Sequence, residues 1–298
     1  MPFLREKNGR PSPEKILALT GTLLPALWLV GRVWIDDLGP RPVTEAIHFV
    51  GEWAVRFLLL SLTITPARRL FGYGKLLQAR RTLGVAAACY AAFHLLLYTA
   101  DQKFKLGVVV TEIVLRFYLT IGFIALVGLL TLAATSTDVS VRRLGPRWTM
   151  LHRVSYVIAA LAILHFMLQK KLEIYEPTLM AGLTLWLFGY RLVYRLMGRV
   201  ALPELIGLAV ASGLLTALLE AGWFAVKTGV DPRRVLEANL ILDFDLDMLR
   251  PAWWVLTITL GVAVLHIAVT TFQQRGGTSI SRGRPAPARA RLAGDRAR

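Results

Sequence analysis

The chain has 298 residues, of which 55% are hydrophobic and 18% charged, and its formal net charge is +16. A mean hydropathy of +0.53 excludes an ordinary soluble domain. The apolar residues form blocks of about twenty separated by short polar links, which indicates a polytopic helical membrane protein. Positive charge is expected in the cytoplasmic loops of such a protein and near anionic lipid heads, so the basic balance does not indicate nucleic-acid binding.

The hydropathy pattern predicts an all-α bundle of eight transmembrane spans. The first follows a basic N-terminal segment, and no small-residue cleavage site comes after it, so it is interpreted as an anchor and not as a signal peptide. The only cysteine, Cys89, lies in an apolar run and is expected to be a small buried side chain. The spans are predicted at 16–34, 46–65, 83–100, 113–134, 151–169, 178–196, 203–226 and 252–272.

The loop charges predict an orientation. With eight spans, 23 of the 35 Lys and Arg residues fall on the side that carries both termini, and 11 fall on the opposite side. Because cytoplasmic loops are enriched in positive charge, both termini are predicted to be cytoplasmic. The predicted parts are a cytoplasmic N-terminus (1–15), a transmembrane core (16–200), an additional two-span segment with an acidic outer loop (201–272) and a disordered basic tail (273–298).

Two histidines inside predicted spans are the strongest candidates for a functional site. His94 and His165 lie roughly 17 Å and roughly 21 Å from the inner ends of the third and fifth spans, at similar depth in the outer half of the membrane. Ionisable side chains inside a span are usually functional, and imidazoles at one depth on two helices suit the axial positions of a haem iron. The alternative is a pair of packing histidines that bond to each other or to the backbone.

For other polar residues in the spans, the sequence allows more than one role. His152 begins the fifth span at the inner face, about 140° around a regular helix from His165, so the two are not expected to share a site. His152 could bind a haem together with an unusual second ligand, or it could contact a flavin or a quinone. His48, Glu52 and Arg56 form an i, i+4, i+8 ladder that suits either a structural ion pair with a capping histidine, or a contact to a haem propionate or quinol.

A series of short motifs carries a family resemblance over roughly residues 15–197. In combination and order they resemble the MsrQ (YedZ) family of haem-binding membrane subunits of the periplasmic methionine-sulfoxide reductase system, within the ferric-reductase-like transmembrane superfamily. The motifs are His48-Phe49-Val50-Gly51, Leu62-Thr63-Ile64-Thr65-Pro66, Arg80-Arg81-Thr82-Leu83-Gly84, Phe93-His94 with Tyr98, Arg116 with Tyr118-Leu119-Thr120-Ile121-Gly122, Thr135-Ser136-Thr137, and Leu144-Gly145-Pro146-Arg147-Trp148 followed by Leu151-His152-Arg153, Tyr156 and His165.

The resemblance implies a bacterial inner-membrane protein with haem b, in which His94 and His165 are the axial ligands and His152 is the third family histidine. It also implies FMN, electron delivery from the quinone pool or a cytosolic flavin reductase, and a soluble periplasmic molybdopterin subunit as the acceptor that reduces methionine sulfoxide. No catalytic residue is then expected in this chain. By position, arginines of the basic inner loops could meet the FMN phosphate, namely Arg80, Arg81, Arg142, Arg143 and Arg147.

The chain departs from the family pattern in three places. Phe117 stands where the family often has proline, and Glu52 stands where a basic residue is common. Nothing in the resemblance explains residues 203–298, whose acidic outer loop carries aspartates predicted to help dock a partner (Asp243, Asp245 and Asp247). The alternatives are a ferric- or quinone-reductase-like cytochrome without a molybdoenzyme partner and, from a different class, a cofactor-free transporter or scaffold.

Overall fold

The computed structural model describes residues 12–241 and 249–281, with side chains up to residue 274. All regular structure in these residues is helical, which confirms the predicted fold class. The three loop aspartates lie outside the described residues. The helices are α1 (Pro13–Trp34), α2 (Pro42–Phe71), α3 (Leu77–Asp101), α4 (Leu106–Leu115), α5 (Phe117–Ala134), α6 (Asp138–Leu144), α7 (Pro146–His152), α8 (Ser155–Lys170), α9 (Tyr175–Met197), α10 (Leu202–Thr228), α11 (Pro232–Leu240) and α12 (Pro251–Ser281).

Proline and glycine set many of the helix ends. Helices α1, α2, α7 and α11 begin with a proline, whose fixed φ suits the first turn and whose missing N–H is not needed there. Helices α2, α9 and α10 end at Gly72, Gly198 and Gly229, which have φ angles of 69°, 72° and 70°. Glycine adopts this left-handed conformation without a Cβ clash, so these residues end the helices cleanly.

Seven stretches of the described chain are long and apolar enough to cross a membrane. They correspond to seven of the eight predicted spans. The predicted sixth span is helix α9, which has 23 residues but is not among these seven. The total of eight spans and the predicted orientation therefore stay predictions. The end of the bundle at which α1, α3, α8 and α10 finish is called here the outer end, following the predicted orientation, and the opposite end is the inner end.

Four predicted details differ from the structure. The predicted fifth span is interrupted, because α7 ends at His152 and α8 begins at Ser155. The fourth span does not start at residue 113, because the chain breaks at Arg116 between α4 and α5. Helix α12 continues past residue 272 as far as Ser281, into the predicted tail. Cys89 is exposed and not buried. An apolar run covers every face of a helix, so its composition does not tell which residues point out of the bundle.

The core forms where α2, α3, α5, α8 and α9 meet. The most extensive packing joins α2 to α3, and α5 packs mainly on α8. The buried centre contains Leu62 and Phe57 from α2, Ala87 from α3, Ala159 from α8 and Tyr190 from α9, all at most 2% exposed. In this arrangement α3 and α8, which carry His94 and His165, each pack against both α2 and α5.

The C-terminal helices α10 and α12 pack on each other and on α9. On the inner side, α12 also reaches α2: His266 Nδ1 lies 2.9 Å from the Leu70 carbonyl, and Gln273 Nε2 donates to the Phe71 carbonyl at 3.3 Å. The last carbonyls of a helix lack partners within the helix. The C-terminal segment thus satisfies carbonyls at the inner end of α2.

Candidate cofactor-binding site

A cavity of about 370 Å³ lies between α2, α3, α5 and α8 towards the outer end, and α4 contributes to its wall. His94 from α3 and His165 from α8 both line it. Most of the remaining lining is apolar, with side chains such as Val55, Leu95 and Phe123. Polar side chains line its outer part. The structure therefore brings together the two histidines that the sequence placed at one depth.

The two imidazoles are held in the same way. His94 Nδ1 lies 2.8 Å from the Ile47 carbonyl of α2, and His165 Nδ1 lies 2.8 Å from the Tyr118 carbonyl of α5. A carbonyl oxygen can only accept a hydrogen bond, so Nδ1 carries the proton in both rings. Each ring then keeps an unprotonated Nε2, the form that binds a metal.

A glycine one turn beyond each carbonyl makes room for the ring. A Cβ added at Gly51 would lie 2.8 Å from His94 Nδ1, and one added at Gly122 would lie 2.7 Å from His165 Nδ1. Each imidazole therefore packs directly on the backbone of the neighbouring helix.

The spacing of the rings fits one metal between them. The ring centroids are 6.3 Å apart, and the ring planes make an angle of 84°. Two metal–imidazole bonds of about 2 Å each and two half-rings of roughly 1 Å each add up to about 6 Å. Haem iron bound by imidazoles on both faces needs this separation and an apolar cavity around the ligands, so the residues present fit haem.

At the outer part of the cavity, Tyr98, Glu112 and Arg116 connect α3, α4 and the start of α5. The Tyr98 hydroxyl donates to the Glu112 carboxylate, and Arg116 forms a 2.7 Å ion pair with the same carboxylate. All three line the cavity. Tyr98 and Arg116 occur in the family motifs but were not predicted as site residues, and neither was Glu112.

A second polar group joins α2, α8 and α9. Lys170 Nζ lies 3.0 Å from Glu52, Arg56 lies 3.6 Å from Glu52, and Arg56 also bonds to Glu176. Glu52, Lys170 and His48 line the cavity, whereas Arg56 and Glu176 do not. The predicted pairing of Glu52 with Arg56 is present. Lys170 was missed, because it lies about 140° around a regular helix from His165 and that spacing does not predict a shared cavity.

A second cavity of about 260 Å³ lies towards the inner end. Arg80 and Arg81 from α3 line it with Trp148 and His152 from α7. The rings of Trp148 and His152 stack with centroids 3.9 Å apart. The Thr135 carbonyl accepts from the Trp148 indole at 2.8 Å, and the Thr135 hydroxyl lies 3.2 Å from His152 Nε2. His152 thus lines a different cavity from His165, and it lies on a different helix, since α7 ends at His152 and α8 begins at Ser155.

The two arginines of the inner cavity differ in their partners. Arg81 forms a 2.7 Å ion pair with Asp138, and its guanidinium holds the pKa of that carboxyl below the usual value. Arg80 has no ion-pair partner within residues 12–241 and 249–281, so its charge is available to an anion. The other arginines predicted for this site are exposed and line neither cavity, namely Arg142, Arg143 and Arg147.

A thin partition separates the two cavities. Leu58 from α2 and Leu129 from α5 line both of them. The outer cavity with its histidines and the inner cavity with its arginines therefore adjoin across these two side chains. The two groups were predicted to lie towards opposite faces of the membrane, and the shared wall between their cavities was not predicted.

The chain is similar to known proteins. A family model for the ferric reductase like transmembrane component matches residues 50–163, a segment that contains His94 and His152 and ends just before His165. Over 191 residues, the chain is 43% identical to the protein-methionine-sulfoxide reductase heme-binding subunit MsrQ of Rhodospirillum rubrum, covering 63% of this chain and 89% of that protein.

Proteins with the same description from two Brucella species are also similar. The identity is 40% over 191 residues for Brucella anthropi and 39% over 190 residues for Brucella ovis. Each alignment covers 63% of this chain and 86% of the relative. No solved structure matches the chain. The similarity thus extends over nearly the whole of each relative and leaves more than a third of this chain unmatched.

Proposed function

The chain belongs to the MsrQ family of heme-binding subunits, and from that premise we propose that it is a transmembrane electron-transfer protein with haem b in the outer cavity. Its long apolar helices make it a multi-pass membrane protein, and a bacterial inner-membrane location agrees with its relatives. The observation that carries the proposal is the His94–His165 pair, with ring centroids 6.3 Å apart in an apolar cavity.

The side chains and backbone of the outer cavity prepare both ligands before haem binds. The carbonyls of Ile47 and Tyr118 fix the proton on Nδ1 of each imidazole, so no proton has to leave Nε2 on binding. Gly51 and Gly122 let the rings sit against the helices, and the surrounding apolar side chains exclude water. When bound, haem supplies the one-electron chemistry, and the protein supplies ligation, orientation and burial.

FMN is proposed for the inner cavity. Arg80 and Arg81 are placed to meet a phosphate, and the stacked Trp148 and His152 rings offer an aromatic wall for a flat ring system. Because Leu58 and Leu129 line both cavities, cofactors in the two cavities would be close enough for direct electron transfer. Arg147 is not part of this proposal because it lines neither cavity.

The proposed electron route runs from the inner to the outer end. The quinone pool or a cytosolic flavin reductase would deliver electrons to FMN, and haem would pass them on. The acceptor would be a periplasmic molybdopterin subunit that reduces methionine sulfoxide in oxidised proteins. This assignment rests on the family and on the predicted orientation, in which the His94–His165 cavity is the one near the outer face. Sulfoxide reduction itself would take place on the partner.

The haem proposal is tested by the optical spectrum of the purified protein. We expect a low-spin haem spectrum that is lost in His94→Ala and in His165→Ala. His266→Ala is the matched control, because this ring also places Nδ1 against a carbonyl but lines neither cavity, so it should keep the spectrum. A colourless wild type made with ample haem, or normal spectra in both cavity variants, would contradict the proposal.

The flavin proposal has its own measurement. Arg80→Gln should lower the amount of FMN that copurifies by about tenfold or more, since a charge-assisted phosphate contact contributes roughly 1.5–3 kcal/mol. The haem spectrum should stay unchanged. Arg143→Gln, an exposed arginine on α6 outside both cavities, is the control. Equal FMN content in the wild type and in Arg80→Gln would show that FMN binds elsewhere.

A further inference from the structure

The wall of the outer cavity, in which haem is proposed to bind, contains an ion pair. Glu52 on α2 and Lys170 on α8 are 3.0 Å apart and line the same cavity as His94 and His165. Their side chains are only 15% and 21% exposed. Outside the cavity, Arg56 and Glu176 complete the group with one more charge of each sign.

The placement of this pair goes beyond what helix packing requires. Ion pairs in the low-dielectric interior are costly and contribute little net stability, so a pair in this position is poorly explained as a stabilising contact. The two negative and two positive charges of the four groups cancel, so the group as a whole is close to neutral. Removal of one member would therefore expose the cavity to an uncompensated charge from its partners.

On the basis of the proposed haem site, we infer that the charges of Glu52 and Lys170 set the redox potential of the haem. Glu52 lowers the potential, and Lys170 raises it. Ferric haem carries one more positive charge than ferrous haem. The Glu52 carboxylate stabilises the ferric state, and the Lys170 ammonium stabilises the ferrous state. With both present, the two contributions offset each other, and the cavity holds the haem at an intermediate potential.

The size of each contribution follows from Coulomb's law. A unit charge at roughly 12 Å, acting through an effective dielectric constant of about 20, changes an equilibrium constant about tenfold. For a one-electron couple, a tenfold change corresponds to about 59 mV. Each single variant should therefore change the ferric-to-ferrous equilibrium by about tenfold, in opposite directions.

The test is a redox titration of the haem absorbance in detergent for the wild type, Glu52→Gln, Lys170→Gln and the double variant. Glu52→Gln should raise the midpoint potential, Lys170→Gln should lower it, and the double variant should return close to the wild type. The control is Glu220→Gln, because Glu220 is a buried carboxylate paired with Arg250 at 2.8 Å but lines neither cavity. It should leave the potential unchanged.

The opposite signs separate this role from a structural one. Both single variants break the same ion pair, so a change in packing alone would shift the potential in the same direction in both, and that result would overturn the inference. Unchanged potentials with normal haem spectra would overturn it too, and would leave the proposed function standing. If one variant does not retain haem, the other is compared with its charge-conserving form, Glu52→Asp or Lys170→Arg. A shift with Gln that is absent in the charge-conserving form supports the inference, and equal shifts in both overturn it. A wild type without haem would overturn both proposals.

Discussion

At the scale of single residues, the outer cavity depends on two glycines as much as on two histidines. Gly51 and Gly122 each lie one turn after the carbonyl that binds a histidine ring. The same arrangement therefore occurs twice, once between α2 and α3 and once between α5 and α8. The glycines have a steric role at these positions, because a Cβ would occupy the space of the imidazole.

We expect Gly51→Ala and Gly122→Ala to weaken haem binding by about tenfold or more without unfolding the protein. The added methyl group would push the ring away from its carbonyl, whereas alanine in a helix is intrinsically favoured over glycine by about 1 kcal/mol. Haem content per protein and the low-spin absorbance measure the effect. Gly261→Ala, where a Cβ would meet no atom within 4 Å, should behave as the wild type. Full haem occupancy in both cavity variants would refute the steric role.

At the scale of helices, the breaks in the fourth and fifth predicted spans help to shape the cavities. Arg116 adopts an extended conformation with φ −101° and ψ 102°. The Thr120 hydroxyl compensates for the break by donating to the Ile113 carbonyl at 2.6 Å. The second break separates α7 from α8, which leaves His152 in the inner cavity and His165 in the outer one. Both breaks lie within predicted spans or at their edges, where hydropathy alone does not show them.

Another feature at this scale is the close packing of the C-terminal pair on α9. A Cβ at Gly182 would lie 2.2 Å from Thr216 Oγ1 and 2.5 Å from a Val255 methyl. Gly182→Ala should therefore destabilise the protein by about 1–3 kcal/mol, and an unfolding titration in detergent would measure this. Haem content should not change, because Gly182 lines neither cavity. Gly207→Ala is the control, since its Cβ would meet open space. Equal unfolding midpoints for Gly182→Ala and the wild type would show that the helices accommodate the added methyl group without loss of stability.

At the scale of the whole molecule, the two cavities that hold the candidate cofactor residues lie among the first eight helices of the described chain, and the C-terminal segment lines neither of them. That segment packs on α9 and on the inner end of α2. Its structural role is visible, whereas the docking role predicted for its acidic outer loop stays a prediction, because Asp243, Asp245 and Asp247 lie outside the described residues. The predicted division at about residue 200 also stays a prediction.

The sequence by itself determined the fold class and most of the spans, and it singled out His94 and His165. These properties depend on quantities that are local in the chain, namely the length of an apolar run and the presence of an ionisable residue within it. Only the tertiary structure decided which carbonyl binds each imidazole, that Lys170 meets Glu52, and that Leu58 and Leu129 separate the two cavities. Such contacts depend on how each helix is rotated, and each residue turns the helix by about 100°. An apolar sequence on every face leaves that rotation open until neighbouring helices pack.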